Sequence, residues 1–491
     1  MSTSLTTLEK ALLPKIECWL AAHRESMIDE LAKWVEVPSV SRPDLAQPGA
    51  PFGPDCAKML QVALSLAEQS GFRTEQHEGY AGSVIYGNHC EDIGLINHLD
   101  VVPAGENWSY PPFTLTRQDD FLIGRGVFDN KGSAIMNLYL LKLFRDLAIP
   151  LQHNLRLVYG MAEETDMADL IWFAKNGPVP RLSLVTDGSF PVNYAQKGQI
   201  AFRMNVADAG KLSAFSAGNA GNTIPATAQI TLTGVEGDLN GDTLSGLGAG
   251  RVTFTRDERG LTLQAQGIAG HAAFPEGTLS AAVVLLDALL ELNLLPEPER
   301  TLAKNLQQLF ASPYGEGAGI GLEDVPSGKL TLNAGIWQSD TSGTLTITGD
   351  IRYPVTLNGQ TIMTTLGDHL AQLAAGIELL PNWRDIPPFY LPEDDKARQV
   401  LQQAWHDVTG RSDPAYSMGG VTHSKVLPRA ITFGPIFPPS ETKIPDSPPA
   451  GNSLPHVANE MVHLPTLLAG MPIYVIALIR LDAELSAQQN G

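Results

Sequence analysis

The sequence predicts an α/β fold in which a mostly parallel sheet is flanked by helices, with an inserted α+β domain. Between residues 83 and 185 short apolar runs alternate with helical patterns, which is typical of strand–helix–strand units. After Asp187 many short alternating segments follow, separated by Gly, Asp and Ser turns, and this pattern favours an α+β domain. We therefore predict one domain in two pieces, residues 1–192 and 386–491, interrupted by a second domain, residues 193–385.

The individual elements follow from hydrophobic periodicity. Up to about Gly71 the apolar residues recur at helical spacing, and glycine commonly ends a helix. The apolar runs that follow predict four strands: Ser83–Tyr86, Ile93–Asn97, Leu155–Met161 and Leu182–Val185. A helical pattern, Gly132–Asp146, lies between the second and third of them. The C-terminal piece predicts a helix, a strand and a closing helix: Asp395–Thr409, Ala430–Gly434 and Leu464–Leu485.

Length and composition fit a globular protein of two or three domains. The chain has 491 residues, of which 43% are hydrophobic and 18% charged, so a disordered or fibrous chain is excluded. It carries 33 Lys and Arg against 53 Asp and Glu, a net charge of -20. Because nucleic acids and anionic membrane surfaces are bound through clustered basic residues, neither is an expected partner.

Cysteine usage and apolar patterning bear on the compartment. The three cysteines form no C-x-x-C pair, so neither a disulfide framework nor a zinc knuckle is expected, and a reducing environment fits. The first twenty residues do not read as a signal peptide. The most apolar stretch, Leu467–Ile479, is shorter than the ~20 residues that a membrane span needs. We expect a cytoplasmic protein.

Ionisable side chains stand at the ends of three successive predicted strands. One further carboxylate, Asp129, lies just before the predicted helix Gly132–Asp146. Ligands of open α/β sheets bind beyond the carboxyl ends of the strands, so these side chains are expected to converge. In chain order they are His98, Asp100, Asp129, Glu163, Glu164 and Asp187. So many carboxylates would repel one another unless cations neutralise them.

The residue types indicate which cations the site could bind and which roles the individual side chains could have. A mixed set of histidine and carboxylates favours Zn²⁺, with Mn²⁺ or Co²⁺ as alternatives. Glu163 and Glu164 are adjacent and cannot easily point the same way from an extended backbone, so one can bind metal while the other acts as a base. Asp100, two residues after His98, could accept the second ring N–H of that histidine.

These segments resemble the M20 family of metallopeptidases, co-catalytic di-zinc hydrolases of dipeptides and acylated amino acids. The resemblance rests on residues 98–103 (HLDVVP), residues 124–126 (GRG) with 129–132 (DNKG), and Glu163-Glu164 with Asp187, and it extends over residues 25–480. The size of the insert is similar to that of the PepV-type dipeptidases, which are monomers with an enlarged lid domain. The resemblance thus implies a monomer whose insert is the lid.

The resemblance also implies a set of metal ligands for two ions. Asp129 would bridge both ions, and the others would divide between them: His98 and Asp187 at one, Glu164 and His456 at the other. Glu163 would be the general base, and Asp100, as the expected partner of the His98 ring, is a further candidate catalytic residue. The peptide bond after the bridging aspartate is cis in the family, here Asp129–Asn130, although many relatives have Asp where this chain has Asn130.

Four residues outside the metal set are implied as substrate-binding or catalytic groups. His271 would stabilise the oxyanion, and Asn222 would hydrogen-bond either the substrate backbone or the oxyanion. Arg352 would bind the free carboxylate of the substrate, and Gly420 would lie in a substrate loop. Because His271 and Arg352 lie in the insert, catalysis would require lid closure. His423, three residues after Gly420, is unusual for the family, and its role stays open.

Three functions remain open at this point. The first is a metal-dependent dipeptidase, and the second is an N-acyl amino acid deacylase acting on acetyl or succinyl derivatives. Both cleave an amide beside a carboxylate, so the metal site cannot separate them. The third is a catalytically inactive relative that only binds a ligand.

Overall fold

The computed structural model describes residues 5–235, 250–341, 343–373, 376–438 and 455–489, and it divides into two compact units. The first unit consists of Met1–Tyr194, Leu391–Tyr416 and Val421–Gly491. The second consists of Ala195–Tyr390 together with the short segment Ser417–Gly420. Each unit has its own hydrophobic core.

The first unit is built around a six-stranded sheet. Its strands are β1 (Arg73–His77), β2 (Ala81–Tyr86), β3 (Asp92–His98), β4 (Asn154–Gly160), β5 (Leu182–Val185) and β6 (Ala430–Thr432). They lie in the order β1-β2-β4-β3-β5-β6, and β4, β3, β5 and β6 run parallel to one another. β1 and β2 are antiparallel, because only three residues connect them, which suffices for a hairpin but not for a crossover.

The parallel strands bring their carboxyl ends to one edge of the sheet. In the register of the sheet His98 pairs with Gly160, and Ile96 pairs with Val185. All seven residues of β4 are buried, as expected for a parallel strand covered on both faces. The residues that follow β3, β4 and β5 therefore emerge side by side.

In the part of the first unit that the structure describes, six α-helices pack around this sheet: Thr7–Val35, Pro54–Gln69, Lys131–Asp146, Ala168–Asn176, Lys396–Thr409 and Leu464–Gln489. The first begins with a capping box, in which Thr6 and Glu9 each bind the backbone N–H of the other. Aromatic side chains fill much of the core, including Trp34, Phe144, Trp405 and Tyr474. Phe190 stacks on Trp405 with ring centroids 5.1 Å apart.

The helix Leu464–Gln489 is long and apolar enough to cross a membrane, and it is the one such helix among the described residues. It packs against the helices Lys396–Thr409 and Lys131–Asp146, and 61% of its apolar window is buried. It also carries Arg480, which binds Glu9 and Asp407. In this structure it is a core helix of the first unit.

A small antiparallel sheet connects two segments that matter for the site. The strand Met461–His463 pairs with Phe121–Ile123, which in turn pairs with Thr116–Gln118. Met461 lies opposite Ile123, so Glu460, one residue earlier, lies beside Gly124. The main chain confirms this, because the N–H of Gly124 donates to the carbonyl oxygen of Glu460 at 3.0 Å.

The second unit contains an antiparallel sheet of nine strands among its described residues. In spatial order eight of them are Val252–Asp257, Gly260–Gln266, Thr227–Leu232, Ser216–Ala217, Thr331–Ser339, Leu345–Tyr353, Gly198–Val206 and Ile377–Leu379, and Arg384–Ile386 also pairs with Gly198–Val206. The described residues of this unit also form three α-helices, which are Ala281–Glu291, Glu299–Phe310 and Gly359–Leu373. The first of these packs on the strands Gly260–Gln266 and Thr227–Leu232.

The unit boundaries differ from the predicted ones by a few residues. The prediction placed the insert at residues 193–385, whereas the second unit runs from Ala195 to Tyr390. It also takes in residues 417–420, which the prediction left in the first domain. The physical reason is hydrogen bonding, since the N–H of Lys197 donates to Met418 O at 3.1 Å and Arg352 Nη1 donates to Gly419 O at 3.0 Å.

Candidate metal centre

The strand ends of the first unit deliver most of the predicted site residues. His98 is the last residue of β3, Glu163 and Glu164 lie in the turn after β4, and Asp187 follows β5. Asp129 lies just before the helix Lys131–Asp146. His456 comes from the segment that precedes the strand Met461–His463.

Asp129 lies at the centre of this group and faces two histidines. Its Oδ1 is 3.0 Å from His98 Nε2, and its Oδ2 is 3.1 Å from His456 Nε2. The other oxygen partners are Asp187, whose Oδ2 lies 3.7 Å from His98 Nε2, and Glu164, whose Oε2 lies 3.0 Å from His456 Nε2. The Nε2 atoms of both histidines thus face the same aspartate, Asp129. Each of these atoms also faces one carboxylate that the other histidine does not, Asp187 for His98 and Glu164 for His456.

Among the described residues, two groups of three offer donor atoms that all lie within 4.8 Å of one another. One is His98, Asp129 and Asp187, and the other is Asp129, Glu164 and His456. An imidazole nitrogen with two carboxylate oxygens is a donor set that Zn²⁺ accepts, and Mn²⁺ and Co²⁺ accept it as well. The residues present therefore fit two divalent cations that share Asp129.

The raised pKa values of two of these carboxyl groups also favour a site for cations. Burial, together with the nearby charge of Asp129, raises the pKa of Glu164 to about 7 and that of Asp187 to about 6. Such shifts mean that burial and mutual repulsion disfavour the charged forms of Glu164 and Asp187 when no positive charge is added. A divalent cation would reverse this preference.

The two histidines have raised pKa values, which for an imidazole means that the charged form is stabilised. Hydrogen bonds to Asp129 and Glu164 raise the pKa of His456 to about 10. Burial lowers the pKa of His98, but its hydrogen bonds to Asp100 and Asp129 outweigh burial and raise it well above the ordinary value. Protons on these rings occupy the positions that cations would take, because a metal binds the neutral imidazole.

Glu163 belongs to neither group of three, but its charge interacts with members of both. Burial raises its pKa well above the ordinary value, and the neighbouring charges of Asp187, Glu164 and Asp129 add to that rise. A carboxyl group with a raised pKa, held beside a cation site, is suited to accept and return a proton.

Asp100 holds the backbone of the two glutamates. Its Oδ1 accepts the N–H of Glu163 at 3.2 Å, and its Oδ2 accepts the N–H of Glu164 at 3.0 Å. The sequence predicted that its carboxylate accepts the ring N–H of His98. In the structure His98 Nδ1 lies closer to the carbonyl oxygen of Asp100, at 3.0 Å, than to its carboxylate, at 3.4 Å, because the carboxylate is turned toward the glutamate turn.

A buried network of amides and hydroxyls lies beneath the site. Asn130 Nδ2 donates to Asp187 Oδ1 at 2.9 Å and to Thr186 O at 3.1 Å, and its Oδ1 accepts from Asn97 Nδ2. Asn137 Nδ2 donates to Asn97 Oδ1 and to Thr186 Oγ1. The peptide bond Asp129–Asn130 is cis, as the resemblance implies.

His423 lies in a second buried pair close to the site. Its Nε2 is 3.2 Å from Asp169 Oδ1, and both side chains are almost fully buried. Asp169 also accepts the N–H of Ala162 at 2.9 Å, one residue before Glu163. The His423 ring lies 6.3 Å from that of His98, measured between ring centroids. The structure thus gives His423 a place beside the centre, which the sequence left open.

The four residues predicted to contact substrate lie in the second unit. Asn222 and His271 are neighbours there, since Thr223 pairs with His271 and the N–H of Ala272 donates to Asn222 O at 2.8 Å. Arg352 is buried and donates to both carboxylate oxygens of Asp350, at 2.6 and 3.3 Å. The substrate-binding roles of Asn222, His271, Arg352 and Gly420 stay predictions.

Sequence reasoning did not identify several groups that support the centre: Asn97, Asp169, Thr186 and Glu460. Each acts through the backbone or through another side chain, so it leaves no ligand-type spacing in the sequence. Two features of the sequence could have drawn attention to this support: Glu460 lies within the segment that resembles the M20 family, and Asn130 is a departure from that family.

The fold and this arrangement agree with the comparison to known protein families. The chain belongs to peptidase family M20/M25/M40, which matches residues 94–478. The family predicted from the motifs is therefore confirmed, and so is the α/β fold class with an inserted domain. The protein is an enzyme, an M20-type metallopeptidase, and takes a divalent metal cofactor.

Two bacterial relatives match nearly the whole chain. "Putative dipeptidase YtjP" of Bacillus subtilis is 29% identical over 475 residues, which cover 93% of this chain and 97% of the relative. "Putative dipeptidase SSP1012" of Staphylococcus saprophyticus is 27% identical over 485 residues, which cover 94% and 98%.

Two solved structures share the fold. Human carnosine dipeptidase 1 superposes with a TM-score of 0.56 at 16% identity, covering 98% of this chain and all of that one. The M20 family metallo-carboxypeptidase Sso-CP2 from Sulfolobus solfataricus gives a TM-score of 0.56 at 14% identity, covering 93% and 99%. At these identities the likeness concerns the fold.

Proposed function

We propose that the protein is a dipeptidase that uses two divalent cations, Zn²⁺ being the expected metal, with Glu163 as general base. The observation that carries the proposal is the division of the Asp129 oxygens between His98 and His456, each of which has its own second carboxylate. Two such cations, held by these residues, would supply Lewis acidity that lowers the pKa of a water and polarises a carbonyl group.

The protein side chains then have separate tasks. Glu163 takes the proton of the attacking water and returns it to the leaving amine, a transfer for which its raised pKa suits it. Asp100 keeps the Glu163 backbone in place by accepting its N–H. Within the second unit, His271 and Arg352 are the groups we propose for the oxyanion and for the free carboxylate of the substrate.

Dipeptides are the proposed substrates because both bacterial relatives carry the name dipeptidase and align over almost their full length. The competing substrates are N-acetyl and N-succinyl amino acids, which present the same amide and carboxylate but lack a free α-amine. The metal centre treats both classes alike, so the distinction must be measured.

The test is a substrate panel with the purified enzyme. We expect dipeptides with a free α-amine to be hydrolysed, EDTA to abolish turnover, and added Zn²⁺ to restore it. Metal analysis should give two ions per chain. Cleavage of N-acyl amino acids without cleavage of dipeptides would instead assign the deacylase reaction.

A matched control separates chemistry from binding. The Glu163→Gln variant should retain two ions and lose turnover on every substrate of the panel. If wild-type enzyme with two ions cleaved neither dipeptides nor N-acyl amino acids, the proposed hydrolase function would be rejected in favour of a ligand-binding relative.

We further propose that the enzyme acts as a cytoplasmic monomer, with neither nucleic acid nor membrane as a partner. The net charge of -20 and the buried position of the most apolar helix support this. Its three cysteines are free thiols, as in a reducing compartment. Light scattering of the purified protein would test the monomer.

A further inference from the structure

Glu460 is a buried carboxylate that holds the loop leading to Asp129. Its Oε1 accepts three backbone N–H groups, from Gly126 at 3.0 Å, Phe128 at 2.9 Å and Asp129 at 3.0 Å. Its side chain is 1% exposed. Three amides converging on one carboxylate oxygen fix the path of a short loop more tightly than any single bond.

The second oxygen of Glu460 is bound by a buried cation. Arg125 Nη1 donates to Oε2 at 2.6 Å, and the Arg125 side chain is also 1% exposed. The other end of the guanidinium donates to the carbonyl oxygens of Pro103 and Ala104, at 3.2 and 3.1 Å. Glu460 therefore has a partner for its charge and is fixed from both sides.

The chain segment that carries Glu460 also carries His456. The His456 side chain is 52% exposed, so packing alone holds it weakly. The segment is anchored instead at its far end, where Asn459 Oδ1 accepts the N–H of Ser109 at 2.7 Å and Glu460 binds the Asp129 loop. Pairing of the strand Met461–His463 with Phe121–Ile123 keeps Glu460 in register with that loop.

We propose that Glu460 is a positioning residue of the metal centre, which sets Asp129 and His456 relative to each other. This inference rests on the proposed two-cation function. Asp129 must present one oxygen to each group of three, and its backbone N–H is held by Glu460 while His456 lies four residues before Glu460. Loss of this anchor should weaken cation binding, because the shared ligand loses its fixed orientation.

The alternative is that Glu460 and Arg125 only stabilise the fold. The same unit offers a matched control in Asp482, which is 5% exposed and is also a buried carboxylate bound by backbone amides. In the described part of the chain it accepts from the N–H groups of Gln152 and His153, at 3.0 and 2.9 Å, and lies 2.8 Å from His153 Nδ1. These partners lie neither in the loop that leads to Asp129 nor in the segment that carries His456.

The experiment compares three variants with the wild type: Glu460→Leu, the double variant Glu460→Leu with Arg125→Met, and Asp482→Leu. Leucine removes the oxygen that accepts the backbone N–H groups, whereas an amide side chain would keep an acceptor there. The double variant leaves no buried charge unpaired, so it guards against a simple failure to fold. For each protein, Zn²⁺ affinity and stoichiometry are measured by competition with a chelator, and the thermal midpoint is measured with and without Zn²⁺.

We expect both Glu460 variants to bind Zn²⁺ about 10- to 100-fold more weakly and to gain less thermal stability from Zn²⁺ than the wild type. Asp482→Leu should lower the midpoint of the metal-free protein and leave Zn²⁺ affinity unchanged. Wild-type Zn²⁺ affinity in the Glu460 variants, with only a lowered midpoint, would overturn the inference. A wild-type protein that binds fewer than two ions would instead contradict the proposed function itself.

Discussion

Asn130 Nδ2 donates a hydrogen bond to Asp187 Oδ1 at 2.9 Å, so a side-chain amide holds one of the candidate metal ligands. The same amide group donates to Thr186 O, and its oxygen accepts from Asn97 Nδ2. A carboxylate at this position could make only the last of these three bonds. In this chain the amide of Asn130 therefore orients Asp187.

The variant Asn130→Asp should destabilise the metal-free protein more than the metal-loaded one. Without cations it places a second carboxylate against Asp187, at a cost of about 1–3 kcal/mol. With Zn²⁺ present the added charge is neutralised and the cost shrinks. Urea unfolding in the presence of EDTA measures the loss of stability of the metal-free protein, and urea unfolding in the presence of Zn²⁺ measures that of the metal-loaded protein. An equal loss in the two conditions would argue against this account, and the same substitution at the exposed Asn88 serves as control.

Replacing Glu163 by Gln should lower kcat by a factor of about 10² to 10⁴ while the zinc content stays at the wild-type value. The reason is that Glu163 interacts electrostatically with members of both groups of three but belongs to neither. Steady-state kinetics and metal analysis on the same preparation decide the matter. Glu17→Gln, the same change at an exposed position, should leave both unaffected. Loss of zinc in the Glu163 variant would mean that this side chain is a ligand.

Zn²⁺ affinity should fall as the pH is lowered from 8 toward 5.5. His456 already carries a proton in the metal-free protein at these pH values, because its pKa is raised to about 10. Burial and the charge of Asp129 raise the pKa of Glu164 to about 7 and that of Asp187 to about 6, so these two ligands gain protons as the pH falls through this range. A cation must displace them, which weakens apparent binding by about tenfold per pH unit for each proton. Chelator competition at several pH values measures the slope, and a flat profile would contradict the expectation.

The buried pair of His423 and Asp169 should matter for both stability and rate. His423→Ala removes the side-chain partner of a fully buried carboxylate, which should cost about 1–3 kcal/mol in the free energy of unfolding. Because Asp169 also holds the N–H of Ala162, kcat should fall as well. Urea unfolding and kinetics test this, with His89→Ala at an exposed position as control. Unchanged stability would show that the pair is unimportant.

The parts of the site that could be predicted are those that follow strands. β3, β4 and β5 are parallel neighbours, so His98, Glu163 and Asp187 had to emerge at one edge of the sheet. Simple topology, joined to apolar runs in the sequence, was enough to bring them together.

The supporting contacts could not be predicted in this way. Glu460 binds Gly126 across 334 positions of sequence, and His423 reaches Asp169 across 254. Such pairs depend on the packing of the folded chain, and a lone buried Glu or His has no periodic pattern that marks it. His456 itself was placed only by its resemblance to a family, because it follows no strand of the main sheet.

The short segment Ser417–Gly420 has a practical consequence for protein engineering. Because it belongs to the second unit although 26 residues of the first unit, 391–416, separate it from Tyr390, the insert is not one continuous cassette. A chimera that exchanged only residues 195–390 with those of a relative would leave Met418 and Gly419 behind, facing foreign partners in place of Lys197 and Arg352. Grafts should therefore carry both pieces.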